Sequence, residues 1–171
     1  MKSDELSPIK DLILDKYILY NSLGFWDLIT RNDINSDYKK LNKYPQEITE
    51  EELAYNYNRF GFKLHEKLTE ETKISLETII FAMSINDEPR IRYGSIIVLK
   101  KNIDKINLPY LFCIYKRYNK LGLLRAMIFS LIEAKALEEN KNIEQYLDLM
   151  EEDPNIKFDL NTIKEYIKLY K

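Results

Sequence analysis

The chain has 171 residues, with 28 acidic and 26 basic side chains and one histidine, which gives a formal net charge of −2. Its four glycines and five prolines are too few for the turn-rich sequences of β-sandwiches and barrels, so the composition favours helices. No apolar run approaches the roughly 20 residues of a membrane span, and the N-terminus lacks the pattern of a signal peptide, so we expect a cytoplasmic protein without membrane contact.

Two helices are predicted in the N-terminal segment. Ser7-Pro8 is typical of a helix start, and apolar residues continue at helical spacing to about Asn21. A short helix follows over 25–29, and the Asn, Asp and Lys content of the next residues indicates an irregular connection. We therefore predict an N-terminal helical extension with an irregular connection over 1–48 and a helical domain over 49–171, with one domain over 1–171 as the alternative.

Capping residues mark the first helices of the predicted domain. The sequence from Thr49 to Glu52 is a capping box, in which the hydroxyl and the carboxylate each accept a hydrogen bond from the other residue's backbone amide. It predicts a helix that breaks near Gly61. Thr69 then predicts the start of a second helix, which apolar residues continue to about Ile85.

The later helix starts are marked by prolines and by Asn or Asp residues. Helices are predicted over about 89–101, 108–121, 123–137, 142–152 and 160–170, with Gly122 separating the second from the third. Short turns join neighbouring helices, so we expect three antiparallel hairpins over 73–101, 108–137 and 142–170.

The first two predicted hairpins are related by an offset of 33 residues. This offset places Asn86 on Asn119 and Arg92 on Arg125. The segment from Glu88 to Leu99, EPRIRYGSIIVL, resembles the second helix of a HEAT-type repeat, although Met127 in the second copy replaces the small residue of the first. The resemblance implies an all-α protein built as a short HEAT-like array of stacked hairpins, a family that mostly provides binding scaffolds.

A basic block lies in the middle of the chain. From Arg90 to Arg125 there are nine basic residues and one acidic residue, a net of +8, whereas residues 133–153 carry eight acidic and two basic residues, a net of −6. We therefore predict a non-catalytic binding or regulatory protein whose basic face holds an acidic protein, a phosphate-bearing ligand or nucleic acid. The candidate binding residues are Arg90, Arg92, Lys116, Arg117, Lys120 and Arg125, with Tyr93, Tyr110, Tyr115 and Tyr118 available for stacking.

Two alternatives stand beside this binding face. Acidic and basic helices that lie side by side would neutralise each other, and each exposed pair would contribute only about 0–1 kcal/mol. The chain could also be one subunit of an obligate oligomer, which predicts a large exposed apolar patch on the monomer.

An arginine and the lone histidine are separated by five residues in the segment RFGFKLH, from Arg59 to His65. This spacing resembles the Arg-x(4–6)-His motif of HEPN ribonucleases, in which both side chains line an RNA-cleaving cleft. The resemblance implies that Arg59 stabilises phosphate charge and that His65 transfers a proton. A HEPN-type ribonuclease is therefore the alternative function.

The remaining motifs give no basis for a cofactor or a metal. The single cysteine, Cys113, lies in an apolar run and behaves as a small hydrophobe, so it forms no disulfide within the chain. Nucleotide-binding loops, nucleophile elbows and paired zinc-binding histidines are absent from the sequence. We predict no cofactor, no metal site and no membrane partner.

Overall fold

The computed structural model describes residues 45–64, 68–138 and 141–170, apart from the side chains of 141 and 142. These residues belong to one compact unit, Lys40–Lys171. Every regular element in the described ranges is helical, which confirms the all-α prediction. The helices predicted before residue 30 lie outside these ranges.

Seven α-helices follow one another in the described part of the chain. They are α1 (Glu50–Arg59), α2 (Leu76–Ser84), α3 (Pro89–Lys101), α4 (Leu108–Arg117), α5 (Leu121–Glu133), α6 (Lys141–Asp148) and α7 (Leu160–Leu169). Short 3-10 helices lie at Pro45–Glu47 and Ile103–Lys105. No helix among them has the length and apolar character needed to cross a bilayer.

Several predicted caps are present in the structure. The Thr49 hydroxyl accepts a hydrogen bond from the Glu52 amide, and the Glu52 carboxylate accepts one from the Thr49 amide at 2.9 Å. The side chain of Asn107 accepts a hydrogen bond from the amide of Tyr110 at the start of α4. These contacts satisfy amides that have no partner within the helix, and they fix where α1 and α4 begin.

The predicted helix start at Thr69 is wrong, because α2 begins at Leu76 and is capped by Ser75. The buried side chain of Asn56 on α1 accepts a hydrogen bond from the Ile74 amide at 2.9 Å and donates one to the Thr72 carbonyl at 2.8 Å. These bonds occupy backbone groups that a helix through residues 69–75 would need, so this segment remains non-helical.

The boundary between α4 and α5 also differs from the prediction. Helix α4 ends at Arg117, and Asn119 forms the turn with a φ of 54°, a left-handed conformation that asparagine tolerates better than most residues. Gly122, predicted to separate the helices, lies within the first turn of α5.

Helix α2 is the centre of the described fold. All nine of its residues are buried, and it packs against α1, α3 and α4. Helix α3 contributes a continuous buried run from Gly94 to Leu99. A helix that is buried on every side must have neighbours all round it, so the other elements are arranged about α2.

Helices α2 and α3 pack extensively on each other, and α4 packs on α5. Further contacts join α2 to α4 and α3 to α5. The 33-residue offset relates the two pairs to within one residue at each helix start. Helix α7, which was expected to pair with α6, packs mainly on α3 and α5.

An aromatic cluster joins α1, α3 and α7. The buried ring of Phe62 packs edge-on against Tyr57 at 5.6 Å and also lies near the rings of Tyr166 and Tyr170. A Cβ atom at Gly94 would collide with the Phe62 ring, so α3 needs glycine at this position. The small size of Gly94 therefore has a packing role.

Glu77 connects α2 to the start of α4. This buried carboxylate accepts a hydrogen bond from the backbone amide of Asn107 at 2.8 Å. Burial raises the pKa of Glu77 above its ordinary value, and the hydrogen bond from Asn107 opposes this increase only in part. The charged form of Glu77 is consequently less favourable in the folded chain than in the unfolded chain.

Replacing Asn56 by alanine should lower the free energy of unfolding by about 2–3 kcal/mol, because the buried amide of Ile74 loses its acceptor. Urea denaturation measures this change. The matched control is Asn161→Ala at an exposed position on α7, where a change within about 0.5 kcal/mol is expected. Equal effects of the two substitutions would contradict the role of Asn56 in holding residues 72–74.

Glu77→Gln should make the chain more stable at neutral pH, and this advantage should shrink as the pH falls. The pKa of Glu77 is higher in the folded chain than in the unfolded chain. The contribution of Glu77 to the free energy of unfolding is therefore fully present below its unfolded-state pKa, and it is lost as the pH rises through its folded-state pKa. Glutamine keeps an acceptor for the Asn107 amide without a buried charge. Urea unfolding of both proteins between about pH 4 and pH 7 checks this, and a difference that does not vary with pH would contradict it.

Candidate functional site

The described residues form a cleft where the ends of several helices meet. We name it the basic cleft; its volume is about 340 Å3. One side is the end of α2 and the first turn of α3, and another is the α4–α5 turn. The third is residues 155–158, here named the strap. The lining residues are Ser84, Ile85, Arg92, Tyr93, Lys120, Leu123, Asn155, Ile156, Lys157 and Phe158.

Arg92 is held in position by the turn that precedes its own helix. Its Nε and Nη2 atoms donate hydrogen bonds to the Asn86 carbonyl at 3.1 and 2.9 Å. Two bonds to one oxygen fix the plane of the guanidinium group, while Nη1 has no hydrogen-bond partner within the described residues. Arg92 therefore brings an oriented positive charge and an available donor to the cleft.

Lys120 is positioned by the turn between α4 and α5. It follows the left-handed residue Asn119, and its amide donates a hydrogen bond to the Tyr115 carbonyl at 2.8 Å. Lys120 is also the N-cap residue of α5, and its side chain makes no capping hydrogen bond. The positive end of the α5 dipole adds to the charge of the Lys120 ammonium at this end of the cleft.

Tyr93 holds the strap against α3. Its hydroxyl accepts a hydrogen bond from the Asp159 amide at 3.0 Å, and its ring packs edge-on against Phe158 with the centroids 5.5 Å apart. The amide of Ile156 donates to the Asp153 carbonyl at 3.1 Å, which forms a turn at the start of the strap. These contacts place Lys157 on the wall of the cleft.

Gly122 allows the segment before the strap to approach α5 closely. A Cβ atom at position 122 would lie 2.8 Å from the Cβ of Asp153 and 3.3 Å from its amide nitrogen. Both distances are shorter than ordinary contacts, and neither neighbouring atom is the flexible end of a side chain. The absence of a side chain at Gly122 therefore determines how closely residues 151–158 lie against α5.

The charged side chains in the described lining of the basic cleft have one sign. The described lining contains three cationic side chains, Arg92, Lys120 and Lys157, and no carboxylate. Within the described residues none of the three forms an ion pair. The charged groups of this lining therefore favour an anion over a cation.

A neighbouring cleft of about 390 Å3 lies on the other side of the strap and has mixed charge. Its described lining includes Arg125 and Lys157 together with the carboxylates Glu133, Glu152 and Asp153. Arg125 is largely used by the fold, since its Nη1 donates hydrogen bonds to the carbonyls of Leu147 at 2.6 Å and Met150 at 3.3 Å. This second cleft is therefore a weaker candidate for an anion.

The six basic residues predicted from the sequence lie in different places. Arg92 and Lys120 line the basic cleft, whereas Arg125 lines the mixed-charge cleft. Arg90 is exposed at the start of α3, where a hydrogen bond with the Tyr170 hydroxyl raises the pKa of its guanidinium group. Lys116 and Arg117 are exposed in the last turn of α4.

The tyrosines proposed for stacking also have different environments. Tyr115 is completely buried, and its hydroxyl donates a hydrogen bond to the Ser84 hydroxyl at 2.8 Å, with the Met127 sulfur 3.4 Å away. A base cannot stack on a ring in this position, so that prediction is wrong for Tyr115. The Tyr118 ring packs on Phe81 at 4.8 Å. Of the predicted tyrosines, Tyr93 lines the basic cleft.

The predicted ribonuclease pair is described only in part. The Nη2 atom of Arg59 donates a hydrogen bond to the Ile74 carbonyl at 2.6 Å, and its guanidinium carbon lies 4.4 Å from the centre of the Phe60 ring. Arg59 thus helps to hold residues 72–74 against α1. His65 lies outside the described residues, so its role in proton transfer stays a prediction.

Lys157 was not among the predicted site residues. In the sequence it is a single lysine after the Asp153-Pro154 break, beyond the acidic segment, and no local pattern distinguishes it from other surface lysines. Ile85 and Phe158 likewise lie outside the basic block. The helix break at Pro154 is the sequence feature that could have pointed to this segment, because it predicts a loop that can cross between helices.

Comparison with known proteins gives no relative: no family model, curated protein or solved structure matches this chain. In the described ranges, no cluster of three or more histidine, cysteine, aspartate or glutamate side chains is arranged to hold a metal ion. The geometry and charge of the basic cleft are therefore the features of the described residues that point to a function.

Gly122→Ala should displace residues 151–158 and lower the free energy of unfolding by about 1–2 kcal/mol, because the added methyl group meets Asp153. Alanine is normally a better helix former than glycine, so helix propensity alone predicts an increase in the free energy of unfolding. Urea denaturation and the amide chemical shifts of residues 151–158 measure the two effects. A variant with unchanged shifts and equal or greater stability would contradict the close approach.

Proposed function

We propose that the chain is a non-catalytic binding or regulatory protein whose basic cleft holds the anionic group of its partner. The partner is an acidic protein, a phosphate-bearing ligand or a nucleic acid. The observation that carries the proposal is that Arg92, Lys120 and Lys157 line one cleft with no carboxylate in its described lining.

The physical basis is electrostatic. A hydrogen bond that involves a charged group contributes about 1.5–3 kcal/mol, and Arg92 is already oriented by its two bonds to Asn86. Less side-chain entropy is lost on binding when a donor is fixed in advance. Lys120 and Lys157 are exposed, so added salt should screen their attraction for an anion.

The HEAT-like arrangement belongs to the same proposal. It is supported by the packing of α2 on α3 and of α4 on α5, by the contacts between corresponding helices of the two pairs, and by the 33-residue offset. In such an array the turns between helices lie along the edges of the stack, where the helices end. The basic cleft uses two of these turns, at Ile85-Asn86 and Asn119-Lys120.

The double substitution Lys120→Glu/Lys157→Glu should raise the dissociation constant of inorganic pyrophosphate at least about ten-fold, which corresponds to about 1.4 kcal/mol. Each change replaces an attraction for the anion by a repulsion. Amide chemical shifts recorded during a pyrophosphate titration measure the affinity. The binding of the unsubstituted chain should weaken when salt is raised from about 50 to about 500 mM.

Lys164→Glu/Lys168→Glu is the matched control, because it changes the net charge equally at two exposed positions on α7. It should leave pyrophosphate binding nearly unchanged. If the control weakens binding as much as the cleft variant does, net charge and not the cleft is responsible. RNA cleavage that disappears in His65→Ala would instead support the HEPN-type ribonuclease with Arg59 and His65.

A further inference from the structure

The wall of the basic cleft also carries apolar side chains, which a site for an anion alone would not need. Ile85 is one of few large apolar side chains exposed in the described part of the chain, at 42%, and it lies in this lining. Leu123, Ile156 and Phe158 complete the apolar surface. An anion alone would gain nothing from these side chains, because they offer no hydrogen bond and no charge.

The hydroxyl groups of the cleft wall already take part in hydrogen bonds within the fold, and the side-chain amide of Asn155 donates one to the Asp153 carboxylate at 3.1 Å. The Ser84 hydroxyl donates to the Phe81 carbonyl at 2.7 Å and accepts from Tyr115. The Tyr93 hydroxyl accepts a hydrogen bond from the amide of Asp159. The cleft therefore offers two kinds of recognition, which are cationic donors for an anion and apolar surface for a hydrophobic group.

The size of the cleft is that of a small-molecule site. Its volume of about 340 Å3 falls at the lower end of the range of about 300–1,000 Å3 for ligand pockets. A nucleic-acid backbone needs a row of cations that follows several phosphates. Arg125 is not part of such a row, because it lines the neighbouring cleft and donates to the Leu147 carbonyl.

We propose that the basic cleft binds a small phosphate monoester whose phosphate is attached to an aromatic or aliphatic body. The phosphate lies against Arg92, Lys120 and Lys157, and the apolar body lies against Ile85 and Phe158. This assignment rests on the anion binding proposed above and adds the chemical class of the ligand.

The test compares phenyl phosphate with methyl phosphate, which carry the same anionic group and differ in the size of the apolar body. Phenyl phosphate should bind at least about ten-fold more tightly, a difference of about 1.4 kcal/mol, because its ring removes apolar surface of the cleft from water. Titrations followed by amide chemical shifts give both dissociation constants and locate the site.

Two variants separate the apolar and cationic contributions. Ile85→Ser should reduce the preference for phenyl phosphate and leave methyl phosphate binding unchanged, whereas Lys157→Ala should weaken both ligands equally. The matched control is Leu149→Ser, at another exposed apolar position outside the lining, and it should leave the preference intact. Loss of the preference in Leu149→Ser but not in Ile85→Ser would overturn the assignment.

The outcomes also distinguish this inference from the function on which it rests. Equal affinity for the two esters would overturn the apolar recognition while the cleft remained an anion site. If neither ester nor pyrophosphate binds, the proposed function fails as well. If a single-stranded nucleic acid of about eight nucleotides binds more tightly than phenyl phosphate, the ligand of the cleft is nucleic acid and the small-molecule assignment is wrong.

Discussion

Helix α2 is buried along its whole length, and each of its polar side chains must find a partner inside the fold. Glu77, near its start, accepts a hydrogen bond from the amide of Asn107, which precedes α4. Ser84, at its end, accepts one from the Tyr115 hydroxyl, near the end of α4. Within the described residues no buried side-chain nitrogen or oxygen lacks a hydrogen bond. Two polar contacts at opposite ends of α2 therefore fix the position of α4 along it, which the apolar contacts between them would not do alone.

This arrangement brings the cations of the candidate site together. The end of α2 leads into the turn at Asn86, whose carbonyl orients Arg92, and the end of α4 leads into the turn that carries Lys120. Because α2 and α4 are packed side by side, these two turns share one end of the structure. The strap adds Lys157 through the contacts of Tyr93 with Asp159 and Phe158. The charge of the cleft is thus a consequence of helix packing and not of a continuous basic segment.

Corresponding positions in the two related hairpins have different contacts. Arg92 donates to the carbonyl of Asn86 within its own hairpin. Arg125, which is 33 residues later, donates to the carbonyls of Leu147, in the last turn of α6, and Met150, just after α6. The first arginine keeps a nitrogen available for the cleft, and the second helps to hold the chain that leads into the strap. Two arginines related by the 33-residue offset therefore have different environments, one beside the basic cleft and one in the packing of the fold.

The sequence by itself determined the helical class, the capped starts of α1, α4 and α7, and the 33-residue relation of two helix pairs, because caps and apolar spacing act between residues three or four positions apart. It could not place the start of α2, since the Asn56 side chain holds the Ile74 backbone from 18 residues away. It also could not place the α4–α5 turn at Asn119, because Gly122, the residue expected to separate the helices, lies inside α5 and contacts Asp153. It could not assign Lys157 to the basic cleft either, because the close approach at Gly122 determines where the strap lies. Only the tertiary structure decided these points, since each depends on surfaces that exist only when distant segments have packed together.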